Sequence, residues 1–439
     1  MSLLKRKEAQ VLLKDAQVET STVRGCRQRL AVFLKRYLPL FYREEQREHA
    51  QLVLQGRLSH LERKTSEPVA RQAGVSRRPI QLFVGDGKWD DEAIMGEMRR
   101  HASEEFCDAE ATFVLDGSGF PKKGTESCGV QRQWCGRLGK LDNCQAGVFL
   151  ACVSEGRVAP LHRRLYLPSE WAKDRKRRRK CHVPPSVRFA EKWQLGLKLI
   201  EQSGDVPHGW IVADDEYGRV NEFRARLRKR RERYVLDVPC NTLVRVREPA
   251  AAKGSKGKKS RGRPRLPPWE RMDVWAARQP AARWQRIEVR PGEKGPLVVE
   301  VLHAMAETRG KSQERMMVIR TMEAVSKTHY CLSNAEESVP VEKLVDVHDD
   351  RHPIEEMFQL GNGEVGLDHY EVRSWIGWHH HMTLSLLGLW FLELERKRVG
   401  EKNTGDHGAA SAANIQSPGA AATTNCRENR QNDHRSIAA

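Results

Sequence analysis

The ten cysteines of this chain form no CxxC pair, and its apolar runs are too short to span a bilayer. The spacings of Cys128, Cys135, Cys144 and Cys152 fit no common zinc site and no secreted disulfide framework. Reduced, mostly buried thiols in a cytoplasmic protein are the expectation. The longest apolar stretch, Leu384–Leu392, is interrupted by Ser385 and is about half of what a transmembrane helix requires. Met1-Ser2-Leu3-Leu4-Lys5-Arg6-Lys7 meets charge before an apolar leader can form. Neither export nor a membrane role is expected.

What the chain has in excess is positive charge. Its 439 residues hold 76 Lys and Arg against 58 Asp and Glu, a formal net charge of +18. The length allows two or three domains, and 39% hydrophobic content fits a soluble globular protein. The excess of cations predicts a polyanionic partner, nucleic acid above all. Against this basic background three acids stand out. Asp116 closes the apolar run Ala111–Leu115, and Asp214 closes Trp210–Ala213. Glu355 follows in Arg351-His352-Pro353-Ile354-Glu355, where Pro353 marks a helix start. Carboxylates gathered this way repel one another unless divalent cations neutralise them, which is the requirement of two-metal phosphoryl transfer. An aspartate after a strand is also a common turn residue, and Asp215, Glu216, Glu356, Glu364 and Glu371 are rivals for the three roles.

The pattern along the chain predicts an α/β protein. Residues 1–105 read as a small helical domain, a candidate for DNA binding, with a helix face over Arg43–Lys64 and a helix start at Asp90-Asp91. Residues 106–240 hold strands at Thr112–Asp116, Ala146–Val153 and Pro160–Leu167. A helix over Val187–Gln202, a strand ending at Asp214, a helix over Arg219–Arg231 and a strand at Tyr234–Val238 follow. That is the element order of a ribonuclease H-like core, in which the first and fourth strands lie side by side. Residues 241–325 read as a β-rich insertion with a basic loop over Pro249–Pro268. The core resumes over 326–400, and 401–439 reads as a disordered tail.

Several ordered blocks are similar to those of a known family. Asp116-Gly117-Ser118-Gly119-Phe120-Pro121-Lys122-Lys123-Gly124, Gly139-Lys140, Asn143-Cys144-Gln145, Ala213-Asp214 with Tyr217-Gly218, and the later Gly366–Trp375 and Trp378–His381 resemble bacterial insertion-sequence transposases with a DDE triad. The match is to the insertion sequence 701 type, related to the insertion sequence 4 group. The resemblance covers roughly residues 80–395. It implies a ribonuclease H-like fold with a β insertion before the glutamate, and two ions of Mg²⁺ or Mn²⁺ held by Asp116, Asp214 and Glu355. It implies cleavage and joining of double-stranded DNA at the element's terminal inverted repeats and at a target, by a homodimer associated with a bacterial nucleoid. Arg351 stands four positions before Glu355, as in the related group's Tyr-Arg-Glu-Lys signature. The signature's tyrosine and lysine positions fall on His348 and Asn362, which removes a phosphate-contacting charge.

Lys122, Lys123, Arg177, Arg178 and Arg263 complete the candidate DNA contacts with Arg351. Arg177 and Arg178 lie in the run Lys173–Lys180, which suits phosphates or a solvated loop equally. Arg263 lies in Arg261-Gly262-Arg263-Pro264-Arg265, similar to the core of a minor-groove AT-hook. His379-His380-His381 point in different directions on a helix and are expected to pack or to touch DNA rather than hold an ion. Two alternatives remain: a transposase-derived DNA-binding protein with impaired chemistry, and a cellular nuclease on the same fold.

Overall fold

A computed structural model describes residues 25–246, 266–290, 296–322 and 326–404, a mixed α/β structure built on one sheet. Five helices come first: α1 Cys26–Tyr37, α2 Glu44–Arg57, α3 Ser66–Ala73, α4 Arg77–Gly85 and α5 Asp91–Glu105. Asp90 caps α5 by accepting the Glu92 and Ala93 N–H groups at 3.0 and 3.1 Å, satisfying donors that the helix itself leaves free.

The central strands are β1 Thr112–Pro121, β2 Gln131–Cys135, β3 Lys140–Ser154, β4 Arg157–Leu165, β5 Trp210–Ala213 and β6 Tyr234–Asp237. Helices α6 Ser169–Lys173, α7 Arg175–Lys180 and α8 Lys192–Gln202 lie between β4 and β5, and α9 Asp215–Gly218 and α10 Asn221–Lys229 between β5 and β6. β1 pairs with β5, and β5 with β6, in parallel, whereas β3 is antiparallel to β1. β5 reads as an unbroken apolar run because both of its faces are covered. Ile211 and Ala213 join the main core, while Trp210 and Val212 join a second core with Val341, Leu344 and Val345.

The expected β-rich segment supplies β7 Leu243–Val246, β8 Glu270–Arg271, β9 Gln285–Arg290, β10 Leu297–Thr308 and β11 Gln313–Thr321, with α11 Met272–Ala277 after β8. These strands extend the same sheet, because β12 Thr328–Ser333 pairs with both β11 and β6. The order along the sheet is β2-β3-β1-β5-β6-β12-β11-β10-β7-β8, with β4 on β3 and β9 on β10. Three helices follow: α12 Val341–Asp349, α13 His352–Glu364 and α14 Trp375–Thr404. Helices α1 to α5 share the main core with α14, through contacts such as Phe33 with Phe391. Arg263 and the AT-hook-like string, the residues before Gly25 and the tail after Thr404 lie outside the described residues.

Some boundaries differ from the sequence reading. The helix expected from Val187 begins at Lys192, with the Glu191 N–H donating to Gln194 Oε1 at 2.9 Å. Pro184 and Pro185 favour extended backbone ahead of it. The helix expected over Arg219–Arg231 is α10, Asn221–Lys229, and the short helix α9 ahead of it, Asp215–Gly218, was not anticipated. β2 was not anticipated. It lies at the edge of β3, half exposed, and its Gln-Arg-Gln-Trp-Cys sequence carries little strand signal.

Candidate active site

The parallel register of β1 and β5 pairs Leu115 with Ala213, so Asp116 and Asp214 occupy the next, neighbouring positions. Asp116 Oδ1 accepts the Gly117 N–H at 2.7 Å. Asp214 caps α9, its Oδ1 accepting the Glu216 N–H at 3.0 Å. Gly218 closes that short helix because it lies against the end of β6. A Cβ on Gly218 would stand 1.9 Å from the Asp237 carbonyl oxygen, which only glycine avoids.

The third acid arrives on α13. Thr112 Oγ1, at the start of β1, donates to Asp350 Oδ2 at 2.5 Å and so fixes the turn between α12 and α13. Arg351 and Glu355 follow directly, with Arg351 Nη2 3.2 Å from Glu355 Oε1 and Arg351 Nε 3.6 Å from Asp237 Oδ2. Arg351 is thus a cation placed among four carboxylates. Burial opposes its charge, but Asp237, Asp116, Glu355 and Asp214 outweigh that and hold the guanidinium more firmly protonated.

The acids carry the strain of this arrangement. Burial, with Glu355 and Glu216 adding to it against the opposing charge of Arg351, pushes Asp116 up to about 6. Burial, then the neighbouring charges of Asp116 and Glu216, pushes Asp214 up to about 7. Two carboxylates, Asp116 midway along β1 and Asp214 just past β5, whose ionisation is pushed up toward neutral pH are short of positive charge. Hard carboxylate oxygens suit a divalent cation, but among the described residues the ligand atoms of Asp116, Asp214 and the half-exposed Glu355 do not all lie within 4.8 Å of one another.

Four residues at this place were missed in the sequence. Asp237 closes β6 as Asp116 and Asp214 close or interrupt their strands, but the run before it is only Tyr234-Val235-Leu236. Its Oδ1 lies 2.9 Å from His348 Nε2 and accepts from Cys331 Sγ at 3.2 Å, while His329 Nδ1 stands 3.7 Å from Oδ2. Burial works against its charge, yet His348, His329 and Arg351 hold Asp237 well below the usual carboxylate range. His348, at the position of the related group's signature tyrosine, therefore faces inward. Lys192 is a further cation near the acids, 2.7 Å from Glu216 Oε1.

The remaining candidates are distributed unevenly. Lys122 donates to the Tyr370 carbonyl at 3.2 Å and lies over the Tyr370 ring; burial lowers its pKa to about 8. Lys123 is exposed. The basic run is not a loop: Lys173 ends α6, Asp174 caps the next helix and Arg175–Lys180 form α7. In it Arg177 stacks on Trp171 at 3.7 Å, and Arg178 donates to the carbonyls of Ala172, Pro184 and Val187. Asp215 and Glu356 are engaged by Arg219 and His352 one helical turn away. His379, His380 and His381 are buried, each bonded to a backbone carbonyl, so they pack the core. The nine described cysteines are free, and seven are buried.

The profile of the family described as DDE superfamily endonuclease matches residues 36–296, more than half of the sequence, and the chain belongs to that family. Enzymes of this superfamily use divalent metal ions. Asp116 and Asp214 lie within the matched span, and Arg351 and Glu355 beyond it. The chain is also similar to a protein of Microchaete diplosiphon named "Probable transposase for insertion sequence element IS701", at 25% identity over 195 residues. That match covers 44% of this chain and 48% of the relative, so it spans about half of each. Among the described residues no helix is long and apolar enough to cross a membrane.

Proposed function

We propose that this protein is a DDE transposase that binds the ends of an insertion sequence, cleaves them by two-metal phosphoryl transfer and joins them to target DNA. The observation that carries this reading is the adjacency of Asp116 and Asp214 on parallel strands, with α13 bringing Glu355 toward them. The order β4-β3-β1-β5-β6, with β3 antiparallel and β1, β5 and β6 parallel, supports a ribonuclease H-like core around those acids.

Asp116, Asp214 and Glu355 would hold the ions, which supply activation of water or a 3′-hydroxyl and stabilisation of the leaving oxygen. Until DNA and ions arrive, Arg351 restrains Glu355 and limits the mutual repulsion of the carboxylates. A scissile phosphate brings further negative charge, and Arg351 is the partly buried cation that would meet it. The excess positive charge of the chain, with Lys123 and the basic segment containing Arg263, would hold the DNA backbone. Two ends must be cut in concert, so a homodimer is the working assembly.

The test is strand cleavage of labelled DNA carrying the element's own ends, with Mg²⁺ or Mn²⁺. Nicking at the element boundary that disappears in Asp116→Ala, with end binding retained, supports the reading. Tight end binding without any cut, restored by Asn362→Lys, would instead favour a transposase-derived binding protein.

A further inference from the structure

The cluster beside Arg351 has a donor set unlike that of the acids. Asp237 closes β6, and His348 lies one residue before the end of α12. His329 and Cys331 are two apart on β12, so they share a face, and Cys331 is paired with Asp237 in the antiparallel register. Ligand atoms of Asp237, Cys331 and His348 all lie within 4.8 Å of one another. His329 Nδ1 is 3.7 Å from Asp237 Oδ2, and the His329 and His348 rings are 5.2 Å apart. One thiol, two imidazoles and one carboxylate make the tetrahedral set that zinc selects and magnesium does not.

The present spacing is slightly tight for coordination. His348 Nε2 and Cys331 Sγ stand 2.9 and 3.2 Å from Asp237 Oδ1. Ligand atoms around a tetrahedral zinc are about 3.3–3.6 Å apart, so small side-chain shifts suffice for Asp237, Cys331 and His348, while His329, outside that tight cluster, must swing further to bring its ring nitrogen in.

We propose that Asp237, His329, Cys331 and His348 bind one zinc-class transition-metal ion that ties the ends of β6 and β12 to α12. On binding, the Cys331 thiol loses its proton to solvent and Sγ becomes a thiolate ligand. Thiolate and carboxylate then balance the dication, and Arg351 keeps its charge for the acids of the candidate active site. The tied segment runs directly into Arg351 and Glu355, three and seven residues after His348. The ion is a positioning element for α13, separate from the hard-ligand site at Asp116 and Asp214.

The experiment is metal analysis of the full-length chain prepared without a histidine tag, followed by cobalt(II) substitution read by absorption. One zinc per chain is expected, with tetrahedral ligand-field bands and a thiolate-to-cobalt charge-transfer band in the cobalt form. Cys331→Ala should lose the charge-transfer band and at least nine-tenths of the zinc. His329→Gln, on a side chain still partly exposed, is the variant that keeps the core intact. It should weaken zinc affinity tenfold or more with unchanged circular dichroism. Asp116→Asn and Glu355→Gln should retain the full equivalent. A chain that holds no zinc and gives no such cobalt bands overturns the proposal. Loss of the ion in Asp116→Asn also overturns it, by assigning the metal to the acidic site. These readouts use no DNA, so they stand or fall apart from the transposase reading.

Discussion

Glu314 and Asp214 are carboxylates set into or beside the same sheet, and their surroundings are opposite. Glu314 on β11 is fully buried and accepts from Arg224 and Arg228 at 3.0 and 3.1 Å, from Thr308 and Ser312 at 2.7 and 3.1 Å, and from the Tyr234 hydroxyl. Burial works against its charge, but these partners, Arg224 foremost, hold it below the usual carboxylate range. Asp214 accepts one backbone N–H and faces Asp116 and Glu216, and it shares Arg351 with three other acids. The first group binds α10 to the outer part of the sheet and has its charges answered from within the protein. The second is left short of cations, and that shortage distinguishes a place prepared for ions from an internal strut.

Substitutions should divide along this line. Asp116→Asn or Asp214→Asn should lower metal-dependent DNA cleavage by ~10³-fold or more while the chain stays folded, as both acids are asked to hold the ions. Cleavage retained within about tenfold would break the contrast. Glu314→Ala should do the reverse. The buried Arg224 and the partly exposed Arg228 lose their anion, and urea unfolding should show a loss of ~3–5 kcal/mol, the scale for breaking a buried pair. Gly218→Ala, which forces a Cβ against the Asp237 carbonyl, should cost ~1–3 kcal/mol and displace Asp214 with its helix.

The smallest effect is the one that sharpens the comparison most. Asp116 and Asp214 titrate near 6 and 7 in the folded chain and near 3.8 when unfolded. The unfolded state therefore releases these protons first, and without metal the folded state loses stability as pH rises from about 4 through 7. Asp214→Asn removes the cost of the charged form. In metal-free buffer it should stabilise the protein by ~1–2 kcal/mol at about pH 8 and have little effect at about pH 4. Thermal unfolding at both pH values checks this; a destabilised variant at the higher pH contradicts the sign.

How much of this was legible in the sequence depended on distance along the chain. Asp116 and Asp214 were visible because each follows an apolar run, and such runs arise where a strand is covered on both faces. Asp90 and Pro353 were visible because caps and first-turn prolines act locally. Asp237 was not visible. It ends a run of three residues, and its partners His329, Cys331, His348 and Arg351 lie 92 to 114 positions later, brought together only by the pairing of β6 with β12. The partners of Arg178 were not visible for a related reason: a charge run says nothing of the carbonyls that fold back onto one of its members.

The shortage of positive charge can be measured directly by titrating the metal-free chain with Mn²⁺ in weakly buffered solution at about pH 6.5 and following bound ion and released protons together. The account predicts saturable binding with release of ~1 proton per chain. Binding should tighten and release should fade as pH rises past the values near 6 and 7, and both should be lost in Asp116→Asn/Asp214→Asn. Binding that releases no protons and persists in the double variant would contradict it.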